Sequence, residues 1–166
     1  MYDKIQHDYL WETLKAFGLP HKFTETIKAL YQNAYTQVAI NGVFSTPFQV
    51  MRGVRQGNPL SCLLFDLAIE PLACKLHNSP SVWGLSILEL DERLVINLFA
   101  DDTTLYLSEE DSFNTIEPIL NNWCDVSGTK FNIETTEIIS IGTREHRLTV
   151  VTEHKISLRD TLPFDK

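Results

Sequence analysis

Apolar residues recur at helical spacing from Ile5 to Phe17, where Ile5, Tyr9, Leu10, Leu14 and Phe17 share one face, until Gly18 and Pro20 end the run. A second amphipathic stretch, Lys22 to Asn33, sets Phe23, Ile27, Leu30 and Tyr31 on one side. The pattern then shifts to β-rich runs, Tyr35 to Ile40 and Val43 to Val50, separated by Asn41-Gly42. That dipeptide between two such runs predicts a hairpin, because both central residues of a type I′ turn need positive φ. A polar loop, Met51 to Asn58, leads into Pro59, which suits the first turn of a helix. The helix predicted from Pro59 to about His77 is apolar almost all round and is expected to be buried.

Val82 to Leu88 and Arg93 to Phe99 read as strands joined by an acidic turn, Glu89 to Glu92, and Thr103 to Leu107 as a further strand after Ala100-Asp101-Asp102. Asp111 to Val126 reads as an amphipathic helix carrying Phe113, Ile116, Ile119, Leu120 and Trp123, with Gly128 at its stop. Glu137 to Ile141 reads as a short strand, and from Thr143 the chain turns polar and predicts weak strands or disorder. Interspersed helices and hairpins favour an α+β fold, an antiparallel sheet packed on helices, over a doubly wound parallel sheet.

Length and composition agree with one ordinary globular domain: 166 residues, 43% hydrophobic and 22% charged. The longest apolar run, Pro59 to Leu76, is interrupted by Asp66, Glu70 and Lys75, which argues against a membrane span. Met1-Tyr2-Asp3-Lys4 does not resemble a secretory leader. Cys62, Cys74 and Cys124 lack metal-ligand spacing and form no disulfide framework, so buried reduced thiols in an intracellular protein are expected, nucleus or cytoplasm unresolved. The five histidines are scattered and read as structural or solvent-facing. The formal net charge is −8. Phosphate binding draws on Lys and Arg, so weak or no nucleic-acid binding is expected of this chain alone.

The sharpest chemical feature is Asp101-Asp102 between two apolar strands. Adjacent Asp residues at a turn can simply satisfy local backbone donors. Fixed on a rigid hairpin, they can instead hold a divalent cation through hard carboxylate oxygens.

Phe99-Ala100-Asp101-Asp102 resembles the Phe/Tyr-x-Asp-Asp signature of reverse transcriptases. Arg52-Gly-Val-Arg-Gln-Gly-Asn-Pro-Leu-Ser, running on through Leu72, is similar to that family's Arg-Gln-Gly-x-Pro-Leu-Ser loop and helix. Ser127-Gly-Thr-Lys-Phe-Asn-Ile-Glu-Thr-Thr-Glu137 is similar to its Ser-Gly-Leu-Lys-x-Asn segment, and Tyr2-Asp-Lys-Ile-Gln-His7 to the tail of its Asp-x-x-Lys-Ala-Phe-Asp-Lys-Val-x-His segment. The four matches occur in the family's order, and the nearest resemblance is to non-LTR (LINE-type) retrotransposon enzymes.

The resemblance implies the palm, with part of the fingers, of a right-handed polymerase over residues 1–142, and a polar tail over 143–166 ahead of a primer-grip and thumb region. It implies RNA-directed DNA synthesis with Mg²⁺ (or Mn²⁺), an RNA template, a DNA primer and deoxynucleotides. Asp101 would be the catalytic, metal-binding carboxylate and Asp102 its neighbour. Gln56 and Gly57 would lie against the incoming nucleotide, Arg52 and Arg55 could reach phosphates, and Tyr2 would screen the sugar 2′ position. Asn58 stands where the family often has Asp, and Thr135 where it has a Lys able to protonate the leaving group. The family's second metal-binding Asp would fall four residues before Met1. The expectation is therefore a retrotransposon polymerase fragment inactive as this chain. The alternatives are a non-catalytic remnant or interaction module keeping the palm fold, or an enzyme completed in trans.

Overall fold

The computed structural model describes residues 2–87, 92–100 and 102–154. Tertiary contacts divide the chain into two compact units, residues 1–130 and 131–166.

In the first unit α1 (His7–Ala16) buries Leu10, Thr13 and Leu14, and Gly18 leaves it at φ +73°. Pro20 caps α2 (His21–Gln32), which buries Thr24, Ile27 and Tyr31. Four short strands follow: β1 (Tyr35–Thr36), β2 (Ala39–Ile40), β3 (Val43–Phe44) and β4 (Phe48–Gln49). β2 pairs with β3 around Asn41 (φ 50°) and Gly42 (φ 80°), the doubly positive-φ turn that Asn-Gly predicts. β1 pairs with β4, and Ser45 bridges the gap between the two ladders, its Oγ accepting from the Val38 N–H at 3.0 Å.

The central element is α3 (Pro59–His77), with Pro59 in its first turn and Asn58 as N-cap, the Asn58 Oδ1 accepting the Leu60 N–H at 3.0 Å. Its buried stripe is Ser61, Leu64, Phe65, Ala68, Ile69, Leu72, Ala73 and Leu76, a strict three-four repeat. The opposite side is open to solvent, which corrects the expectation of a helix buried all round: Cys62, Leu63, Asp66, Glu70 and Cys74 are exposed. The expectation of buried thiols fails with it at Cys62 and Cys74, because both lie on that outer side. Hydrophobicity alone puts Cys and Leu inside, whereas helical phase decides which of them turn inward.

β5 (Leu85–Ser86) pairs with β6 (Arg93–Leu94), and β7 (Ile96–Phe99) with β8 (Asp102–Leu105), all antiparallel. Leu88 and three residues of the acidic turn expected at Glu89 to Glu92 lie outside the described residues. α4 (Phe113–Ser127) buries Ile116 and Trp123 and ends on Gly128 in the left-handed region, as its position in the sequence predicts. Helices α1, α3 and α4 pack together, and β7 lies on α3. Their shared interior includes Ile5, Leu10, Leu14, Leu64, Phe65, Leu72, Leu76, Val95 and Ile116, each almost fully shielded from solvent. The Trp123 indole N–H donates to the Tyr9 hydroxyl at 3.0 Å, and that hydroxyl donates to the Ala68 carbonyl at 3.0 Å, tying the three helices at one polar point. The unit is thus α+β, with small antiparallel ladders packed against helices.

Asp111 fastens the loop before α4 to the approach of β5. Its carboxylate accepts the N–H groups of Trp83 (2.7 Å), Gly84 (2.8 Å) and Ser108 (2.8 Å), and the Ser108 hydroxyl at 3.1 Å. Burial alone would raise its pKa. The donors outweigh that and hold the carboxyl below its ordinary value. A folded-state pKa below the unfolded one means the stabilisation is complete above the unfolded value, about 3.9, and is lost as pH falls through the folded value. Asp111→Ala is expected to cost about 2 kcal/mol at neutral pH, the scale of charge-assisted hydrogen bonds. In urea unfolding the gap between parent and variant should narrow as pH falls below about 4. A gap that stays constant down to about pH 2.5 would show that the carboxylate is not what these N–H groups need.

In the second unit, Asn132 organises a short 3₁₀ turn, Ile133–Thr135, its Oδ1 accepting the Glu134 N–H at 3.2 Å. Residues 137–141 form no strand among the described residues, and Ile138, Ile139 and Ile141 are exposed. The β-branched run has strand propensity but no ladder to join. Where weak strands or disorder were expected after Thr143, the chain instead forms α5 (Arg144–His154). Residues 155–166 lie outside the described residues. Among the described residues no helix is long and apolar enough to cross a membrane.

Candidate functional site

Two segments far apart in sequence are joined as neighbouring strands would be. The Gly53 N–H donates to the Ile5 carbonyl at 2.7 Å, the Val54 N–H to the Tyr2 carbonyl at 2.8 Å, and Gln6 and Arg52 form an antiparallel bridge. The contact is close because Gly53, at φ +80°, has no side chain. A Cβ there would stand 2.6 Å from the Asp3 Cα and 2.7 Å from its carbonyl carbon.

The junction creates a cleft of about 290 Å³ lined by Tyr2, Asp3, Arg55, Gln56, Gly57, Asn58, Ser61 and Cys62. The structure therefore gathers Tyr2, Arg55, Gln56 and Gly57 in one place. The Tyr2 ring lies flat on Phe65, centroids 4.2 Å apart and planes within 14°, and Phe65 is fully buried in α3. Tyr2 thus rests on a rigid support. The Arg55 guanidinium donates from Nη2 to the Leu30 carbonyl at 2.8 Å and lies 5.6 Å from the Tyr31 ring centroid. Leu30 belongs to the last turn of α2, where carbonyls lack helical partners. Gly57, at φ +82°, has open space where a side chain would be, so a ligand could approach its backbone. Gln56 is exposed and brings an amide with both donor and acceptor.

Asp3, Asn58, Ser61 and Cys62 line the cleft without having been singled out for it. Asn58, Ser61 and Cys62 could have been found from Pro59: a helix starting there turns its first residues back towards the loop it leaves. Asp3 had no comparable signal.

The second expected site is the β7–β8 hairpin. Its register sets Phe99 opposite Asp102, with Ala100 following Phe99 at the turn. Ala100 stands at φ 53°, a conformation that costs a residue bearing a Cβ about 1–2 kcal/mol. Asp101 lies outside the described residues. Asp102 opens β8 with its side chain exposed, and Phe99 opposite it is 78% exposed. Asp102 does not line the cleft. Its carboxylate forms no ion pair among the described residues. Among the described residues no three His, Cys, Asp or Glu side chains cluster in a way that could hold a metal ion. Thr135 turns its hydroxyl onto the Asn132 carbonyl at 3.4 Å, within the second unit.

Comparison with known proteins gives one family. The profile described as reverse transcriptase (RNA-dependent DNA polymerase) matches residues 1–157. The chain is 40% identical over 104 residues, 63% of its length, to the transposon TX1 uncharacterized 149 kDa protein of Xenopus laevis, of which this covers 8%. It is 27% identical over 151 residues, 90% of its length, to the retrovirus-related Pol polyprotein from type-2 retrotransposable element R2DM of Drosophila melanogaster, covering 14% of that protein. To a retrovirus-related Pol polyprotein from type-1 retrotransposable element R2 of Popillia japonica it is 26% identical over 141 residues, 84% of the chain and 19% of the relative. The chain spans less than a fifth of the length of each.

Proposed function

This chain belongs to the reverse transcriptase family, and on that premise we propose that its cleft holds the incoming deoxynucleoside triphosphate during RNA-templated extension of a DNA primer. One observation carries the reading. Tyr2 and the Arg55-Gln56-Gly57 loop, distant in sequence, form the walls of one cleft. The residue types suit a nucleotide. Gln56 offers an amide to sugar or base, Gly57 permits close backbone approach, and Tyr2, supported by Phe65, presents an aromatic edge that a 2′-hydroxyl would strike. Arg55 brings positive charge to the same rim while anchored to α2.

Asp101 and Asp102 would bind Mg²⁺ (or Mn²⁺), the exposed hairpin carboxylate at Asp102 having the oxygen chemistry these ions take. The bound ions would neutralise charge on the triphosphate and on the attacking primer oxygen. The chain's own residues position the reactants, which accounts for most of the catalysis in phosphoryl transfer. RNA template and DNA primer would engage the longer protein rather than this acidic segment, whose net charge is −8. That same acidity favours a second reading, a palm-fold remnant that binds protein instead of nucleic acid.

Cys62 gives a test that needs no turnover. It lies exposed on the cleft wall, so a bound nucleotide should shield it from a maleimide. With deoxyadenosine triphosphate and Mg²⁺ present, alkylation at Cys62, mapped by mass spectrometry, should slow about tenfold, while the exposed Cys74 reacts unchanged. Tyr2→Val should reduce the preference for the deoxynucleotide over adenosine triphosphate by about tenfold in the same assay. Alkylation of Cys62 that no nucleotide slows would support the remnant reading instead.

A further inference from the structure

The Gly53–Val54 peptide unit is gripped at both ends. Its N–H donates to the Tyr2 carbonyl at 2.8 Å, and its carbonyl receives the Nε2 of His7 at 2.9 Å. A carbonyl only accepts, so His7 carries its proton on Nε2. This peptide joins the two walls of the cleft: Tyr2 hangs from one end, and Arg55, Gln56 and Gly57 follow the other.

The imidazole has a second set of contacts. It lies 5.6 Å from the Trp11 ring and 5.3 Å from the Tyr31 ring, edge to face with the latter. Tyr31 in turn lies beneath Arg55 and brings its hydroxyl to 3.4 Å from the Ser61 Oγ. Arg55 and Ser61 both line the cleft, whereas His7 does not. His7 therefore reaches the cleft by two routes, a backbone hydrogen bond and a ring cluster, without touching its contents.

We propose that His7 is a positioning residue for the nucleotide cleft, its Nε2–H fixing the Gly53–Val54 peptide so that Tyr2 and the Arg55–Gly57 loop keep the spacing a nucleotide needs. This rests on reading the cleft as a nucleotide site. The physical reason is directional. Gly53 lacks the side chain that would restrict its own torsions, so the orientation of this planar peptide rests on hydrogen bonds, that of His7 to its carbonyl and that of Val54 to Tyr2. The hydrogen bond, rather than the ring alone, supplies that restraint.

His7→Phe removes the donor and retains an aromatic ring. His7→Gln retains a donor, because the Gln amide nitrogen reaches about as far as Nε2. Both are to be made in the whole 166-residue chain, with thermal unfolding used to confirm that they fold. Two readouts are needed. The first is amide exchange at Val54, which should quicken about tenfold in His7→Phe and return near the parent rate in His7→Gln. The second is the deoxyadenosine triphosphate concentration that half-protects Cys62, which should rise about tenfold in His7→Phe and recover in His7→Gln. Unchanged Val54 exchange in folded His7→Phe overturns the proposal, as does an unchanged half-protection concentration. If nucleotide fails to protect Cys62 in the parent chain, the nucleotide reading falls. The hold of His7 on the peptide is then decided by Val54 exchange alone. If His7→Phe does not fold, His7→Gln carries the decision: fast Val54 exchange there, despite the retained donor, refutes the restraint.

Discussion

Gly53→Ala should destabilise the first unit by about 4 kcal/mol and abolish nucleotide protection of Cys62. Two costs combine. A side chain at φ +80° pays about 1–2 kcal/mol for the left-handed backbone. The added Cβ would also stand 2.6, 2.7 and 2.9 Å from the Asp3 Cα, carbonyl carbon and oxygen. Those are backbone atoms in a paired segment, and relieving the overlap costs about 1–3 kcal/mol more. A domain of ordinary stability retains only about 5–15 kcal/mol, so about a quarter or more of the margin would go. Gly57→Ala is the contrast. It has nearly the same φ, +82°, but nothing within 4 Å of the built Cβ, so only the same backbone cost of about 1–2 kcal/mol is expected. Urea unfolding of the two variants separates strain from collision. Equal losses would mean that the 52–54 segment moves freely away from Asp3. Gly57→Ala should still weaken nucleotide protection, since its Cβ would occupy the space kept for the ligand.

Asp101→Asn and Asp102→Asn should leave folding intact while reducing primer extension, Asp101→Asn by about 10³-fold and Asp102→Asn by less. The neutral amide keeps the shape and loses the charge that would hold Mg²⁺, and removing one preorganised electrostatic contact commonly costs on that order. The two substitutions should be read as extension of a DNA primer on an RNA template in a version lengthened on both sides by its flanking coding sequence, beside this chain, which is expected to be silent. Nucleotide protection of Cys62 should weaken less than extension does, because the cleft walls stay in place. An Asp101→Asn variant that extends primer at the parent rate would remove the hairpin from the chemistry and leave the cleft reading standing.

Much of the scaffold was legible because local physics dictated it. Asn41-Gly42 demands a turn with two positive φ values, Pro59 and Asn58 open α3, and Gly128 closes α4 in the left-handed region. The outer side of α3 was misread because Cys62 and Leu63 look like core residues until helical phase is imposed. Residues 137–141 were misread for the opposite reason, since strand propensity counts only when another strand accepts the hydrogen bonds. In the site, Tyr2, Arg55, Gln56 and Gly57 could be named by resemblance, but what brings them together could not. Their proximity depends on the contact of Gly53 with Asp3 and on His7 reaching a carbonyl 46 positions away, and neither carries a local signature.

The way the first unit closes also sets when it can fold as the chain leaves the ribosome. Gln6 donates its N–H to the Ser127 carbonyl, and Trp123 bonds Tyr9 across 114 positions. α1 therefore cannot reach its final packing until α4 has been synthesised, at about 5–20 residues per second. During that interval the apolar stripe of α3 lacks the cover α4 will give it. That surface stays uncovered for several seconds of synthesis, so truncations that stop short of Trp123 should aggregate where those reaching Lys130 do not.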